Sequence, residues 1–459
     1  MVDARRWAGQ IVAGAVVVGV VSLVLSGVLD AVDMSDAAQV GLAIMVIAGV
    51  LWMTEAVPLF LTAFVVLGLA LTWLMGALPD GSVAGATFTS PFFSNIILLF
   101  LGGFTLSAAL HKQRLDERLA RWVIQRAGGS MARLMLGVMV TTAFLSMWLS
   151  NTATAAMVLS IVLPITNSLP AGDRARTSLL LAVPFAANIG GVGTPIGSPP
   201  NAIALQYLAE LDAVPGFAMW MAMAAPVLVV MLLAAWGLLL LLNGRRGEPL
   251  VINVPPVESK MSGRAWLTLL VTLLTMLGWL ASGLHGLASG TVALLPVLAF
   301  FGLRVLDSKD FRGLSWDVLF MMGGGLCLGV VVMQSGLADW LVERLPTDSV
   351  GPIALAVIVG VLACGMSLMM SNTATANLIL PIVIGLGLAS PSPVLIGVAF
   401  SCSMAMALPI STPPNAIVFS SGQLSSRDLL LPGILLTGGG LAMTYTIGLL
   451  WWGVLGWSV

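Results

Sequence analysis

Three short motifs occur twice in this chain, in the same order, and that duplication constrains its fold more than any other feature. The run from Asn95 to Gly103 resembles the run from Asp317 to Gly325. Ser150-Asn151-Thr152-Ala153-Thr154-Ala155 returns as Ser371-Asn372-Thr373-Ala374-Thr375-Ala376. Thr194-Pro195-Ile196-Gly197-Ser198-Pro199-Pro200-Asn201 returns as Leu408-Pro409-Ile410-Ser411-Thr412-Pro413-Pro414-Asn415. The offsets of 222, 221 and 214 residues are too regular for coincidence, so the chain reads as two copies of one unit.

The solvent for those copies is a bilayer. Only 8% of the 459 residues are charged and 59% are hydrophobic, against roughly 25% charged in an average soluble domain. Stretches able to cross a hydrocarbon core of ~30 Å recur along the whole chain. They run over 11–29, 38–53, 56–77, 92–111, 177–193, 217–243, 265–284, 287–306, 317–337, 392–408 and 429–457. Residues 131–169 and 352–390 are also apolar, but each is too long for one span and is interrupted near its middle by Ser-Asn-Thr. Both are expected to be re-entrant hairpins. The predicted fold is therefore an all-α polytopic membrane protein with about 11 transmembrane helices and two hairpins.

Cytoplasmic loops collect Lys and Arg. With the N-terminus inside, 18 of the 19 basic residues fall on the cytoplasmic side, leaving only Arg344 outside. Asp30, Asp33, Asp36, Asp80, Glu210, Asp212, Asp339, Glu343 and Asp348 fall outside too. This places the chain in the inner (plasma) membrane with a periplasmic or extracellular C-terminus. Five crossings separate the two copies of the first motif, and an odd number turns the second copy upside down. Inverted repeats with broken helices near the midplane mark many secondary transporters, whose substrate and coupling ion sit at the repeat interface. The stretch from Lys112 to Arg126 alternates charge with apolar residues and suits a helix lying on the cytoplasmic surface.

The expected organisation has the early spans of the first copy over 1–90 and its motif-bearing elements over 91–243, the latter holding hairpin 131–169 and a broken helix over 177–210. A cytoplasmic linker over 244–263 leads to the early spans of the second copy over 264–315. Its motif-bearing elements over 316–459 follow, with hairpin 352–390, a broken helix over 392–421 and the last span.

A net charge of -1 offers no basic field to neutralise phosphates, which excludes nucleic-acid binding. Cys327, Cys364 and Cys402 lack metal or redox spacing and read as packing residues. The glycine runs at 102–103 and 323–325 read as close-packing points, and His111 and His285 sit at span ends without an assigned role.

The chemistry lies where the motifs break the spans. Proline removes a backbone donor and clashes with the preceding turn, so Pro-Pro inside an apolar span opens the helix. Lipid cannot satisfy the freed backbone, which must line a cavity or meet protein. Helix N-termini at such breaks favour an anion, and Asn151, Thr152, Asn372 and Thr373 can donate hydrogen bonds to it. Carbonyls together with the oxygens of Ser146, Ser150, Ser367 and Ser371 suit Na⁺. Ser-Asn-Thr in a single span is more commonly packing glue. Two copies, each paired with a Pro-Pro-Asn break, favour a site. The two hairpins and two broken helices are expected to hold no Asp, Glu, His, Lys or Arg, which points away from a proton relay.

At these residues the sequence resembles the divalent anion/sodium symporter family over nearly its whole length. The resemblance implies a homodimer with Na⁺ as coupling ion, in which transport elements over 91–243 and 316–459 move as an elevator against scaffold spans over 1–90 and 264–315. It implies one sodium site at Ser146, Ser150, Asn151 and Gly197 and a second at Ser367, Met370, Asn372 and Ser411. Cargo carboxylates would meet Asn151, Thr152, Ser198, Asn372, Thr373, Thr412 and Pro413. Both triplets end in Thr, as in dicarboxylate carriers, so the expected cargo is succinate, fumarate or malate. An exchanger of dicarboxylates, or a symporter of citrate, tartrate or sulfate, keeps the same fold. A membrane enzyme would need a nucleophile with its base or a metal cluster, and no such constellation is visible.

Overall fold

The computed structural model describes residues 2–27, 33–127, 129–170, 173–243, 260–344, 351–386, 388 and 390–457. Most of the 244–263 linker, with Arg245 and Arg246, lies outside the described residues, as do Asp30, Asp348 and the end of the 11–29 span. The described residues form helices and no strand. Eight helices among them are long and apolar enough to span a membrane. Shorter apolar helices accompany them, among them Gly9–Leu25, Ser289–Gly302 and Pro391–Ser403.

Serines start many of these helices. Ser35, Ser94, Ser130, Ser150, Ser262, Ser371 and Ser425 each accept a backbone N–H of the first helical turn. Each thereby satisfies a donor the helix would otherwise leave open. The side chains that then face outward are apolar: Leu241, Trp266, Leu277 and Leu298 are all exposed. Water cannot wet such an exterior favourably, whereas lipid can.

Each Ser-Asn-Thr triplet lies at the junction between two helices. The first joins Met131–Ser146 to Asn151–Ser168, and the second joins Pro352–Met369 to Asn372–Gly385. Each Pro-Pro-Asn segment likewise lies where one helix has stopped and another starts. Arg174–Gly191 stops, and the chain restarts as Pro199–Glu210; Pro391–Ser403 stops and restarts as Pro413–Phe419. Each second half begins on the Pro-Pro pair, because a missing N–H is harmless in a first turn and the proline ring pre-sets a helical φ. The second break runs from Met404 to Thr412, so that helix ends before the predicted 408.

The hairpins and broken helices pack with Phe217–Asn243 and the last span into one apolar cluster. Asp36–Thr54, Leu59–Ala77 and Trp316–Gln334 form another, into which Met370, Ala374 and Leu378 of the second hairpin insert. The glycine runs are points of close approach: a Cβ on Gly102 would lie 2.4 Å from the carbonyl oxygen of Ala293, and one on Gly324 2.2 Å from Ala63 Cβ. The three cysteines are free and buried.

Polar contacts join segments that the charge distribution assigns to one face. Lys112 Nζ lies 3.2 Å from Asp307 and 2.5 Å from Asp310, Arg118 donates to the carbonyl of Lys260, and Arg176 donates to Gln423. The amphipathic stretch forms a helix over Leu115–Arg126, with Glu117 paired to Arg114 and Arg121. The Arg114 hydrogen bond, reinforced by Arg121, holds the Glu117 carboxyl below the usual range. His285 has a local role: its Nδ1 accepts the Leu287 N–H, so Nε2 carries the proton and donates to the Gly278 carbonyl.

Candidate functional site

The two hairpin tips carry the same hydrogen-bonded cluster. In the first, Ser146 Oγ lies 2.5 Å from Asn151 Oδ1 and 2.8 Å from the carbonyl oxygen of Ala187. In the second, Ser367 Oγ lies 2.7 Å from Asn372 Oδ1 and 2.9 Å from the carbonyl oxygen of Cys402. Each cluster therefore gathers three oxygens around a single hydroxyl proton, because neither an amide oxygen nor a carbonyl brings one. Ser146 and Ser367 are fully buried, while Asn151 and Asn372 are half-buried. Ser150 and Ser371 cap the second arms through Ala153 N–H and Ala374 N–H.

The break in each broken helix closes on the same frame. Asn201 Nδ2 donates to the carbonyls of Gly191 at 2.9 Å and Thr194 at 2.8 Å. Asn415 Nδ2 donates to those of Met406 at 3.0 Å and Leu408 at 2.9 Å. Backbone that proline freed from the helix is thus satisfied by side chains, as a non-aqueous interior demands. Thr194 also donates to the carbonyl of Met147, which ties the first break to the first hairpin tip. Gly191 faces Asn151 so closely that a Cβ there would lie 2.5 Å from its Nδ2.

The structure brings Ser146, Asn151, Gly191 and Gly197 together, since the Gly197 Cα packs on the Gly191 carbonyl. Ser367 and Asn372 meet directly. Ser411 is engaged with the Leu408 carbonyl and Asn415, and Met370 is a buried residue at the end of the first arm. Ser198 and Thr412 are each 2% exposed, whereas Thr152 and Pro413 are exposed and Thr373 is half-buried.

The four elements nevertheless hold Arg133, Arg174, Arg176 and Glu210, all near helix ends and away from tips and breaks. Asn188, Asn201, Ser403 and Asn415 also belong to this frame and are not among the residues expected from sequence. The amide of Asn188 donates to Thr412 Oγ1 at 3.1 Å and Asn415 Oδ1 at 3.2 Å, and Ser198 Oγ lies 3.1 Å from Ser403 Oγ. These bonds link the two copies. The repeated Pro-Pro-Asn could have flagged Asn201 and Asn415. Asn188 has no such signal, because serine stands at its counterpart.

A cavity of about 610 Å³ reaches Ser150 and Ala153 from the end where His111, Lys112, Asp307 and Asp310 cluster. Access differs between the copies: Ala153 is exposed on this cavity, but its counterpart Ala374 is fully buried. A cysteine placed at Ala153→Cys should therefore react quickly with a polar thiol reagent in detergent, and one at Ala374→Cys should react at least about tenfold more slowly. Labelling rates read by mass spectrometry check this, against the buried native cysteines as background.

Polar hairpin tips set against unwound helices inside an apolar bundle define a secondary transporter. A citrate-transporter family profile matches residues 49–391. The chain is 32% identical over 437 residues to the sodium-dependent dicarboxylate transporter SdcS of Staphylococcus saprophyticus, covering 86% of this chain and 83% of that protein. It is 31% identical to the inorganic phosphate transporter PHO87 of Saccharomyces cerevisiae over 72% of this chain, though over only 37% of PHO87. Among solved structures, the YdaH transporter of Alcanivorax borkumensis shares the fold with a TM-score of 0.61 at 14% identity, covering 87% of this chain and 99% of YdaH. The chain belongs to the divalent anion/sodium symporter family anticipated from its paired motifs, and it is a transporter rather than an enzyme.

Proposed function

We propose that this protein is a sodium-coupled symporter of C4-dicarboxylates such as succinate, fumarate and malate. The observation that carries the reading is the pair of clusters in which three oxygens share one proton, Ser146–Asn151–Ala187 and Ser367–Asn372–Cys402. Neutral oxygens in excess of protons suit a hard monovalent cation. Ser146, Ser150, Asn151 and Gly197 would hold one Na⁺, and Ser367, Met370, Asn372 and Ser411 a second. The relatives named as sodium-dependent dicarboxylate transporters support the same cargo and ion.

A dianion in a low-dielectric interior needs compensating charge, and attraction between unit charges grows as the dielectric constant falls. The tips and breaks supply no Lys or Arg. The compensation would come from bound Na⁺ and from the N-termini of Asn151–Ser168 and Asn372–Gly385. Cargo carboxylates would then meet Asn151, Thr152, Ser198, Asn372, Thr373, Thr412 and Pro413. With the basic end cytoplasmic, as Lys and Arg favour, the cavity beside Ser150 faces the cytoplasm. The protein would sit in the plasma membrane as a homodimer, with the N-terminus inside and the C-terminus outside. Its transport elements would move as an elevator against the scaffold.

Uptake of radiolabelled succinate into proteoliposomes tests this. Accumulation under an inward Na⁺ gradient but not a K⁺ gradient is the expected result. Uptake that needs succinate inside identifies an exchanger. The similarity to a transporter named for inorganic phosphate makes an oxyanion the second cargo to try, and phosphate uptake without succinate competition would replace the dicarboxylate reading.

A further inference from the structure

The proton on the Thr412 hydroxyl has a direction, and a chain of three amides sets it. Asn415 Nδ2 faces the carbonyls of Met406 and Leu408, which only accept, so its Oδ1 must point the other way. That oxygen lies 3.2 Å from the side chain of Asn188, which must therefore turn its NH₂ toward it. The same NH₂ reaches Thr412 Oγ1 at 3.1 Å, and the backbone N–H of Asn415 reaches that oxygen at 3.3 Å. Thr412 Oγ1 thus accepts twice. A hydroxyl has two lone pairs and one proton, so the proton is left over at a residue only 2% exposed. None of the hydrogen bonds described for Thr412 uses it as a donor.

The equivalent hydroxyl in the other copy is not fixed in this way. Ser198 does not cap its helix, and because Ser403 donates its one proton to the Ala399 carbonyl at 3.2 Å, Ser198 is the donor in the contact between the two hydroxyls. Ala187 and Cys402 occupy matching places, since their carbonyls meet Ser146 and Ser367, and this makes Ser403 the counterpart of Asn188. The two copies therefore present different hydroxyl chemistry at one structural position.

We propose that Asn188 is a positioning residue for cargo binding, locking the Thr412 hydroxyl as a donor toward one carboxylate of the cargo. The proposal rests on the dicarboxylate reading above, with the cargo between hairpin tips and helix breaks. Asn188 itself need not touch the cargo. Its loss frees Thr412 to turn its proton onto a protein oxygen, and the carboxylate then loses a charge-assisted bond.

The test is succinate KM and Vmax in proteoliposomes for the wild type, Asn188→Ala, Thr412→Val and the double variant. Losing one hydrogen bond to a charged group should raise KM about tenfold in Asn188→Ala, with Vmax within about twofold. Thr412→Val should match it, and the double variant should be no worse than either single one, because both remove the same bond. Thr412→Ser, which restores the hydroxyl, should reverse most of the KM rise seen in Thr412→Val. If Asn188→Ala does not fold, Asn188→Asp serves in its place: its carboxylate draws the Thr412 proton inward, and KM should rise by at least as much. An unchanged KM in the Asn188 variants, or effects that multiply in the double variant, overturns the proposal. Failure of the wild type to transport succinate at all strikes the cargo reading instead, so the two failures are distinguishable.

Discussion

Replacing Asn151 or Asn372 by alanine should abolish sodium-driven uptake while leaving the protein folded. Each side chain stands half-buried at a hairpin tip, holding its amide oxygen against a buried serine hydroxyl. Truncation removes that oxygen from the three-oxygen cluster and, in the proposed site, the amide donors that would face the cargo. Two interactions with charged partners are lost together, at about 1.5–3 kcal/mol each, so uptake should fall by at least about a hundredfold. The fold should tolerate the change. The second arms keep their caps at Ser150 and Ser371, and interhelical hydrogen bonds inside membranes contribute only about 0.6 kcal/mol on average. Proteoliposome uptake together with the melting temperature in detergent decides the matter. Full uptake in both variants would show that the tips are not the site, and a melting point lowered by more than about 10 °C would show that they are structural.

Much of this arrangement was legible because its causes are local. A Pro-Pro pair in an apolar run opens a helix wherever it occurs, and Ser-Asn-Thr interrupts an apolar run too long for one span, so the two triplets with Pro199 and Pro413 announce the tips and restarts in sequence alone. Duplication then turns each weak signal into a strong one. What escaped was interaction across the copies. Asn188 bonds residues more than two hundred positions away, and its counterpart is Ser403, so neither spacing nor repetition exposes it. The unequal exposure of Ala153 and Ala374 was equally hidden, because the two motifs are identical in sequence while their burial is set by what packs against each of them.

Gly197→Ala should inactivate transport through a different route, by moving the backbone that carries the first cluster. A Cβ on Gly197 would lie 2.5 Å from the carbonyl oxygen of Gly191, and 3.1 Å and 3.2 Å from the carbonyl carbon and Cα of the same residue. No side-chain rotation relieves these contacts, since the three nearest atoms are all main chain. The break cannot simply widen either. Asn201 holds the Gly191 and Thr194 carbonyls, Trp220 donates to the Val192 carbonyl, and Thr194 is tied to Met147 at the hairpin tip. The added methyl must therefore push Gly191, which packs directly on the Asn151 amide. Overpacking of this kind costs about 1–3 kcal/mol, which should appear as a roughly tenfold to hundredfold loss of uptake and a matching rise in the Na⁺ concentration for half-maximal rate. Gly438→Ala is the control, because a Cβ there meets nothing within 4 Å. It should transport like the wild type. Should Gly197→Ala keep an unaltered Na⁺ dependence, the first cluster would be a packing feature, and cation coupling would rest on the second copy alone.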